Sequence, residues 1–92
     1  MHPAPDEQLQ KVKKDFERFV LIGSSIYKAA YYALESNGFV SMDAQTDESI
    51  VAYHPKENTF IIMRMVPKTL KREVIVIEKT VEFNTTVTAK IA

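Results

Sequence analysis

The chain has 92 residues, with 12 basic and 12 acidic side chains and no cysteine. A chain of this length forms one domain whose core is only marginally large enough by itself. Without cysteine, neither disulfides nor a cysteine-based zinc site can stabilise this core. Association between copies is another common way in which small domains are stabilised, and we expect it here. The balanced charge argues against a protein whose main partner is a nucleic-acid backbone or an anionic membrane.

The N-terminal segment carries no pattern typical of a targeting signal. The sequence MHPAPDEQ has neither a basic region nor an apolar region. No apolar run approaches the roughly 18 residues that indicate a membrane-spanning helix. We therefore expect a cytoplasmic protein without a membrane segment, in which residues 1–5 form a flexible N-terminus.

The first predicted element is a helix over 6–37. Apolar residues recur at steps of three and four along this segment, and that spacing places them on one stripe of a helix. Asp6 is the expected N-cap, because its carboxylate can accept hydrogen bonds from first-turn amides. At the other end, Gly38 is expected at the left-handed C′ position, where Phe39 can contact Leu34 as in a Schellman cap.

The predicted helix is long for the domain that contains it. About 31 residues would extend roughly 45 Å, whereas a compact chain of this size is roughly 30 Å across. Either the helix breaks at Gly23-Ser24-Ser25, or one end projects and packs on another subunit. We expect a continuous helix, because the apolar stripe passes Gly23 without a change of phase.

The second half of the predicted helix carries more apolar surface than one sheet face can cover. Between Phe19 and Leu34 the only charged side chain is Lys28. For a protein in water this composition indicates burial on more than one side. We therefore expect a subunit interface, in a dimer by preference. Its candidate residues are Leu21, Ile22, Tyr27, Tyr31, Tyr32, Val74 and Val76.

Residues 39–92 are predicted to form a four- to five-stranded antiparallel sheet, with the helix across one face. The expected strands are 39–44, 50–53, 59–66, 73–84 and 86–91. The third is the most apolar and is predicted to be central, with Pro67 as its end. Alternation places Ile61, Met63 and Met65 on one face of this strand, and Phe60, Ile62, Arg64 and Val66 on the other. The whole chain, 1–92, is thus predicted to be a single α+β domain.

The residue types that carry catalysis or bind metals do not form a recognisable constellation. His2 and His54 are the only histidines, and neither has a partner at ligand spacing. His54 is predicted to be an exposed residue of a hairpin loop over 54–58. The segment Gly23-Ser24-Ser25 lacks the preceding strand of a phosphate loop or a nucleophile turn.

One turn concentrates carboxylates at Asp43, Asp47 and Glu48. It lacks the glycine and the alternating oxygen ligands of a calcium loop, so a solvated turn is the favoured interpretation. We therefore expect no catalytic residue, no metal and no cofactor.

Positive charge gathers at the end of the predicted central strand, at Arg64, Lys68, Lys71 and Arg72. Arg64 lies within an apolar segment, and an unpaired buried guanidinium is very costly. It therefore requires a carboxylate partner, for which Glu78 and Glu82 are candidates, or a subunit interface, or a ligand anion. The four basic residues, with tyrosines on which bases could stack, form a candidate nucleic-acid contact.

Residues 48–69, which follow a helix ending in LESNGF, are similar in layout to small restriction-endonuclease-like nucleases of the Holliday-junction-resolvase kind. In that family a helix leads to a hairpin that carries an Asp and then Glu-x-Lys. This chain has Val51 at the position of the Asp and Arg64-Met65-Val66 at the Glu-x-Lys. The later chain is predicted to continue into strands where the family has a helix, so the resemblance implies no catalytic residue here.

The sequence therefore predicts a non-catalytic interaction module that self-associates and binds another macromolecule, with a protein as the favoured partner. One alternative is a nucleic-acid-binding protein that uses residues 64–72 and the helix tyrosines. Another is a small-ligand site in a pocket between helix and sheet or between subunits.

Overall fold

The computed structural model describes residues 1–41, 49–69 and 77–85 and has the predicted α+β class, with two helices packed on one face of a sheet. In chain order, the described elements are β1 (His2–Pro3), α1 (Asp6–Leu21), α2 (Ile26–Ser36), β2 (Val40–Ser41), β3 (Ser49–His54), β4 (Thr59–Thr69) and β5 (Ile77–Asn84).

The sheet is mixed, where a purely antiparallel sheet was predicted. Strand β4 is central, with β3 antiparallel on one side and β5 antiparallel on the other. Strand β1 pairs in parallel with the first residues of β4, and the amide of Ala4 donates to the carbonyl of Phe60 (2.9 Å). The segment expected to be a flexible N-terminus thus contributes a strand, which at two residues is too short to show strand periodicity.

The prediction of one continuous helix over 6–37 is wrong, because the chain leaves the helix at Gly23. This glycine has φ +96°. The amide of Ser24 donates to the carbonyl of Phe19 and that of Gly23 to the carbonyl of Val20, both at 3.1 Å. These two bonds form a Schellman motif. The apolar stripe did not reveal the break, because α1 and α2 both face the same core and each keeps the helical period.

The two helices form an antiparallel hairpin. Near its open end, Nδ2 of Asn37 donates to Oδ2 of Asp15 (2.9 Å) and to the carbonyl of Ala33 (2.7 Å). Closer to the connection, the rings of Phe19 and Tyr32 lie 5.7 Å apart. With 16 residues, α1 extends only about 24 Å, so it fits within the domain.

The predicted end of the second helix is confirmed. Gly38 has φ +82°. The amide of Phe39 donates to the carbonyl of Leu34 (2.9 Å), and that of Gly38 to the carbonyl of Glu35 (3.0 Å). Leu34 and Phe39 are both buried, so the apolar contact of the motif joins the core. The predicted N-cap of α1 is wrong by one residue: Pro5 occupies the cap position, and Asp6 is the first residue of the helix.

The core lies between the hairpin and one face of the sheet, here called the core face. Alternation along β4 follows the prediction, because Ile61 and Met63 are buried while Arg64 is exposed. The buried apolar residues are Ala4, Val12, Ala29, Ala30, Ala33, Leu34, Phe39, Ile50, Ala52, Ile61, Met63, Val81 and Phe83. The buried hydroxyl of Thr59 donates to Oε1 of Gln8 (2.9 Å), which ties β4 to α1.

Strand β4 continues through Pro67 to Thr69, beyond its predicted end. Its described pairing with β3 stops at Arg64, so Pro67 pairs only with β5 among the described strands. A proline is tolerated at such a position because one side of the strand needs no amide donor. The predicted carboxylate turn at Asp43, Asp47 and Glu48, residues 73–76 of the fourth strand and the last strand, 86–91, lie outside the described residues.

Candidate interaction surfaces

Exposed apolar side chains concentrate where α1 ends. Leu21 is 86% exposed and Ile22 72% exposed, and Val20 is also exposed. The Schellman motif at Gly23 turns the chain directly after these residues, and their side chains stay in solvent. We call Val20, Leu21, Ile22 and the nearby exposed Tyr27 the hairpin tip. Contiguous exposed apolar surface of this kind is typical of a binding site.

Aromatic side chains continue this surface along α2. The rings of Tyr27 and Tyr31 lie 5.3 Å apart, and Tyr32 packs on Phe19. Tyr27 and Tyr32 are exposed, whereas Tyr31 is half-buried against the core. A tyrosine ring combines apolar area with a hydroxyl, which suits a surface that is dry in a complex and wet outside it.

Charged side chains surround the tip. The exposed Arg18 forms an ion pair with the half-buried Asp15 (3.4 Å), and its guanidinium lies 5.2 Å from the centre of the Phe19 ring. Glu17 and Lys28 are exposed on the two helices. Polar side chains around an apolar centre are the usual composition of a protein interface.

The five helical residues of the predicted interface thus lie on one structural unit, the hairpin and its tip. Val74 and Val76 lie outside the described residues. Val20 is absent from the predicted interface, because this residue belongs to the apolar stripe. The signal that could have identified it is its position in the last turn before a glycine stop.

The opposite face of the sheet, here called the outer face, is covered by neither helix, since both pack on the core face. It carries half-buried apolar side chains from β3 and β4 and exposed polar ones from β4 and β5. Its described residues are Ser49, Val51, Tyr53, Phe60, Ile62, Arg64, Val66, Thr80, Glu82 and Asn84.

Arg64 is exposed on the outer face and lies directly opposite Glu82 of β5. The helix tyrosines lie beyond the core face, on the other side of the sheet. Lys68 lies further along β4, opposite Glu78, while Lys71 and Arg72 lie outside the described residues. The structure therefore does not bring Arg64 and the helix tyrosines onto one surface.

A groove of about 500 Å³ separates α1 from β5. Phe16 contacts Phe83 edge-on at its base, with 5.4 Å between ring centres. Lys13 and Glu17 line it with charge. This groove is the structural counterpart of the predicted pocket between helix and sheet.

His54 is half-buried at the end of β3, where an exposed loop residue was predicted. Its Nδ1 accepts from the amide of Glu57 (3.1 Å), and its ring packs edge-on against Phe39 at 5.2 Å. These contacts give the imidazole a packing role between a hairpin turn and the end of α2.

The described residues contain no group of three or more His, Cys, Asp or Glu side chains that could hold a metal. In the same part of the chain, every buried side-chain nitrogen and oxygen has a hydrogen-bond partner. Neither described helix is long and apolar enough to cross a membrane. Comparison of the chain with family models, curated proteins and solved structures finds no match.

Proposed function

We propose that this protein is a small, non-catalytic and cytoplasmic interaction module that self-associates and binds another macromolecule, with a protein as the favoured partner. The observation that carries the proposal is the exposure of Leu21 and Ile22 at the hairpin tip. Full burial of a leucine or isoleucine contributes roughly 1.5–3 kcal/mol. The two side chains together therefore offer roughly 3–6 kcal/mol to a partner that covers them.

The backbone of the tip is held in place before any partner binds. The Schellman bonds of Gly23 and Ser24 fix the end of α1, and the hydroxyl oxygen of Ser25 accepts from the amide of Lys28 (3.3 Å) to cap α2. A surface that is already ordered loses less conformational entropy on binding. The tip is therefore suited to be a recognition element.

The chemistry of the tip favours a protein over a nucleic acid. The aliphatic and tyrosine side chains of the tip are surrounded by Glu17, Arg18 and Lys28, which carry charges of both signs. A phosphate backbone requires a predominantly basic surface instead. Nucleic-acid binding through Arg64 and the helix tyrosines would require a strand that reaches both sides of the sheet.

The groove between α1 and β5 supports a second candidate function, the binding of a small ligand. Its apolar base at Phe16 and Phe83 and its charged sides would suit a molecule with an aromatic or aliphatic body and a polar end. A thermal-shift screen with metabolites and nucleotides tests this alternative, and Phe16→Ala should remove any shift that arises there.

The main proposal is tested by sedimentation velocity and by quantitative affinity capture from host lysate. The wild type should self-associate at micromolar concentration. Proteins that bind the tip should be captured by the wild type and lost with Leu21→Lys/Ile22→Lys. The control is Gln10→Lys, which adds charge at an exposed position of α1 away from the tip.

A strictly monomeric wild type would remove self-association from the proposal. Equal capture by wild type and tip variant would remove the tip as the binding site. Tip-dependent binding to lipid vesicles, with no captured protein, would replace the protein partner with a membrane.

A further inference from the structure

The outer face of the sheet combines apolar area with a pair of opposite charges at Arg64 and Glu82. Ile62 and Val66, which flank Arg64 along β4, provide half-buried apolar surface that no described element of the chain covers. A sheet face with this much apolar area is usually packed against another layer. Arg64 and Glu82 stand side by side within it, on adjacent strands.

Arg64 and Glu82 form no ion pair with each other or with any other described residue. Both are exposed, and the only ion pair in the described part of the chain joins Arg18 to Asp15. Two opposite charges that lie side by side make a surface complementary to itself, which is the requirement for contact between two identical copies.

The positions of the two charges select one arrangement of two copies. In a face-to-face dimer, a two-fold axis that runs along the strands between β4 and β5 places β4 of one copy over β5 of the other. Arg64 of each protomer then faces Glu82 of the other protomer. An axis across the strands at the same level would instead place like charges opposite each other.

We infer that the outer face binds a second copy of this chain, through two reciprocal contacts between Arg64 and Glu82 about a two-fold axis parallel to β4 and β5. The inference rests on the proposed self-association and assigns it to a surface. In this dimer Val66 faces Thr80 and Ile62 faces Asn84 across the axis, with the two sheets about 10 Å apart.

This arrangement has a consequence for the hairpin tips. The hairpins pack on the core faces, which point away from each other in the dimer. Both tips therefore remain accessible, and the dimer presents two copies of the same binding element. A partner with two sites, or a polymeric one, would be bound more tightly by the dimer than by one protomer.

Charge reversal tests the inference. In the R64E variant, the introduced carboxylate of each protomer faces Glu82 of the other, so the dimer contains two repulsive contacts. In the E82R variant, the introduced guanidinium of each protomer faces Arg64 of the other, again twice. Each variant should raise the dimer Kd roughly 100-fold or more, as measured by sedimentation velocity. Glu7→Arg and Lys14→Glu make the same charge changes at exposed positions of α1, away from the tip, and should leave the dimer unchanged.

Mixing the two variants separates contact between copies from effects within one copy. In a mixed dimer, the introduced carboxylate of R64E faces the introduced guanidinium of E82R, and the two unsubstituted charges, Glu82 and Arg64, face each other. Native mass spectrometry should therefore show a heterodimer of nearly wild-type affinity. Like charges on adjacent strands also destabilise each variant by itself, but mixing cannot relieve that effect. Circular dichroism establishes that each variant is folded.

Four results would overturn the inference. Single reversals that dimerise as tightly as the wild type would exclude the charge pair, and so would a folded mixture that stays monomeric. A dimer that survives both reversals but is lost in Leu21→Lys/Ile22→Lys would place self-association at the tip and leave the proposed function intact. A monomeric wild type would instead remove self-association itself.

Discussion

The two helices of this protein end in the same backbone motif but in different surroundings. Each stops at a glycine with positive φ, and each glycine is followed by an amide that donates to the carbonyl five residues back. After α2 that following residue is Phe39, which is buried. After α1 it is Ser24, and the last side chains of the helix remain in solvent.

The difference shows that the motif determines where a helix stops but not whether its end is buried. At Gly38 the apolar contact between Leu34 and Phe39 forms part of the core. At Gly23 there is no apolar residue at the equivalent position, so the end of α1 projects at the turn of the hairpin. The first end stabilises the fold, and the second leaves apolar side chains exposed to solvent.

The largest expected effect compares one substitution at the two ends. Leu34→Ala should lower the free energy of unfolding by about 2–5 kcal/mol, because Leu34 is 1% exposed and its removal leaves a cavity. Leu21→Ala, at a position 86% exposed, should change it by less than about 0.5 kcal/mol. Urea denaturation at two protein concentrations measures both values and separates any contribution of self-association. Similar losses at the two positions would show that both helix ends are buried in solution.

The next effect compares the two glycines. In Gly38→Ala, the new methyl carbon would lie 2.6 Å from Nε2 of His54, and φ is +82°. A loss of about 2–4 kcal/mol is expected from backbone strain and overpacking together. In Gly23→Ala, nothing lies within 4 Å of the new carbon, so strain alone should cost about 1–2 kcal/mol. Chemical denaturation measures the difference.

A double-mutant cycle isolates the contribution of the imidazole. Gly38→Ala should lower the free energy of unfolding by less in a His54→Ala background than in the wild type. The expected difference is the part of the Gly38→Ala loss that exceeds the loss measured in Gly23→Ala. Equal costs in both backgrounds would mean that the ring swings aside freely, despite its hydrogen bond from the amide of Glu57 and its packing on Phe39.

The helix ends also show what sequence reasoning can reach. The stop at Gly38 was predictable with both of its contact residues, because the motif is local and its apolar pair is written in the sequence. The stop at Gly23 was predicted only as the less favoured alternative. A continuous stripe is compatible both with one helix and with two helices that share a core, so periodicity could not decide between them.

In the sheet, too, the features that depend on local sequence were predictable, and those that depend on distant parts of the chain were not. Alternation correctly placed Ile61 and Met63 on one face of β4 and Arg64 on the other. The parallel pairing of β1 could not be predicted, because a two-residue segment has no period and its position depends on the rest of the fold. The exposure of Leu21 and Ile22 could be suspected from their position off the stripe, but only the turn at Gly23 puts them at an outer tip.

The smallest expected effect concerns the N-cap of α2, which holds the tip in place where α2 begins. Ser25→Ala removes the acceptor for the amide of Lys28 and should lower the free energy of unfolding by about 1 kcal/mol. Ser25→Asp supplies another acceptor and should retain most of the stability. Ser36→Ala, at the exposed far end of α2, is the control for the loss of a serine hydroxyl.

Hydrogen exchange gives this last prediction a local measurement. The amide of Lys28 should exchange faster in Ser25→Ala than in the wild type, while the amide of Phe39 at the other end of α2 should not change, because its acceptor is the carbonyl of Leu34. Faster exchange at both amides would mean that α2 opens as one unit. Unchanged exchange at Lys28 would mean that the 3.3 Å contact does not hold the helix start, and that the tip depends on the Schellman bonds at Gly23 alone.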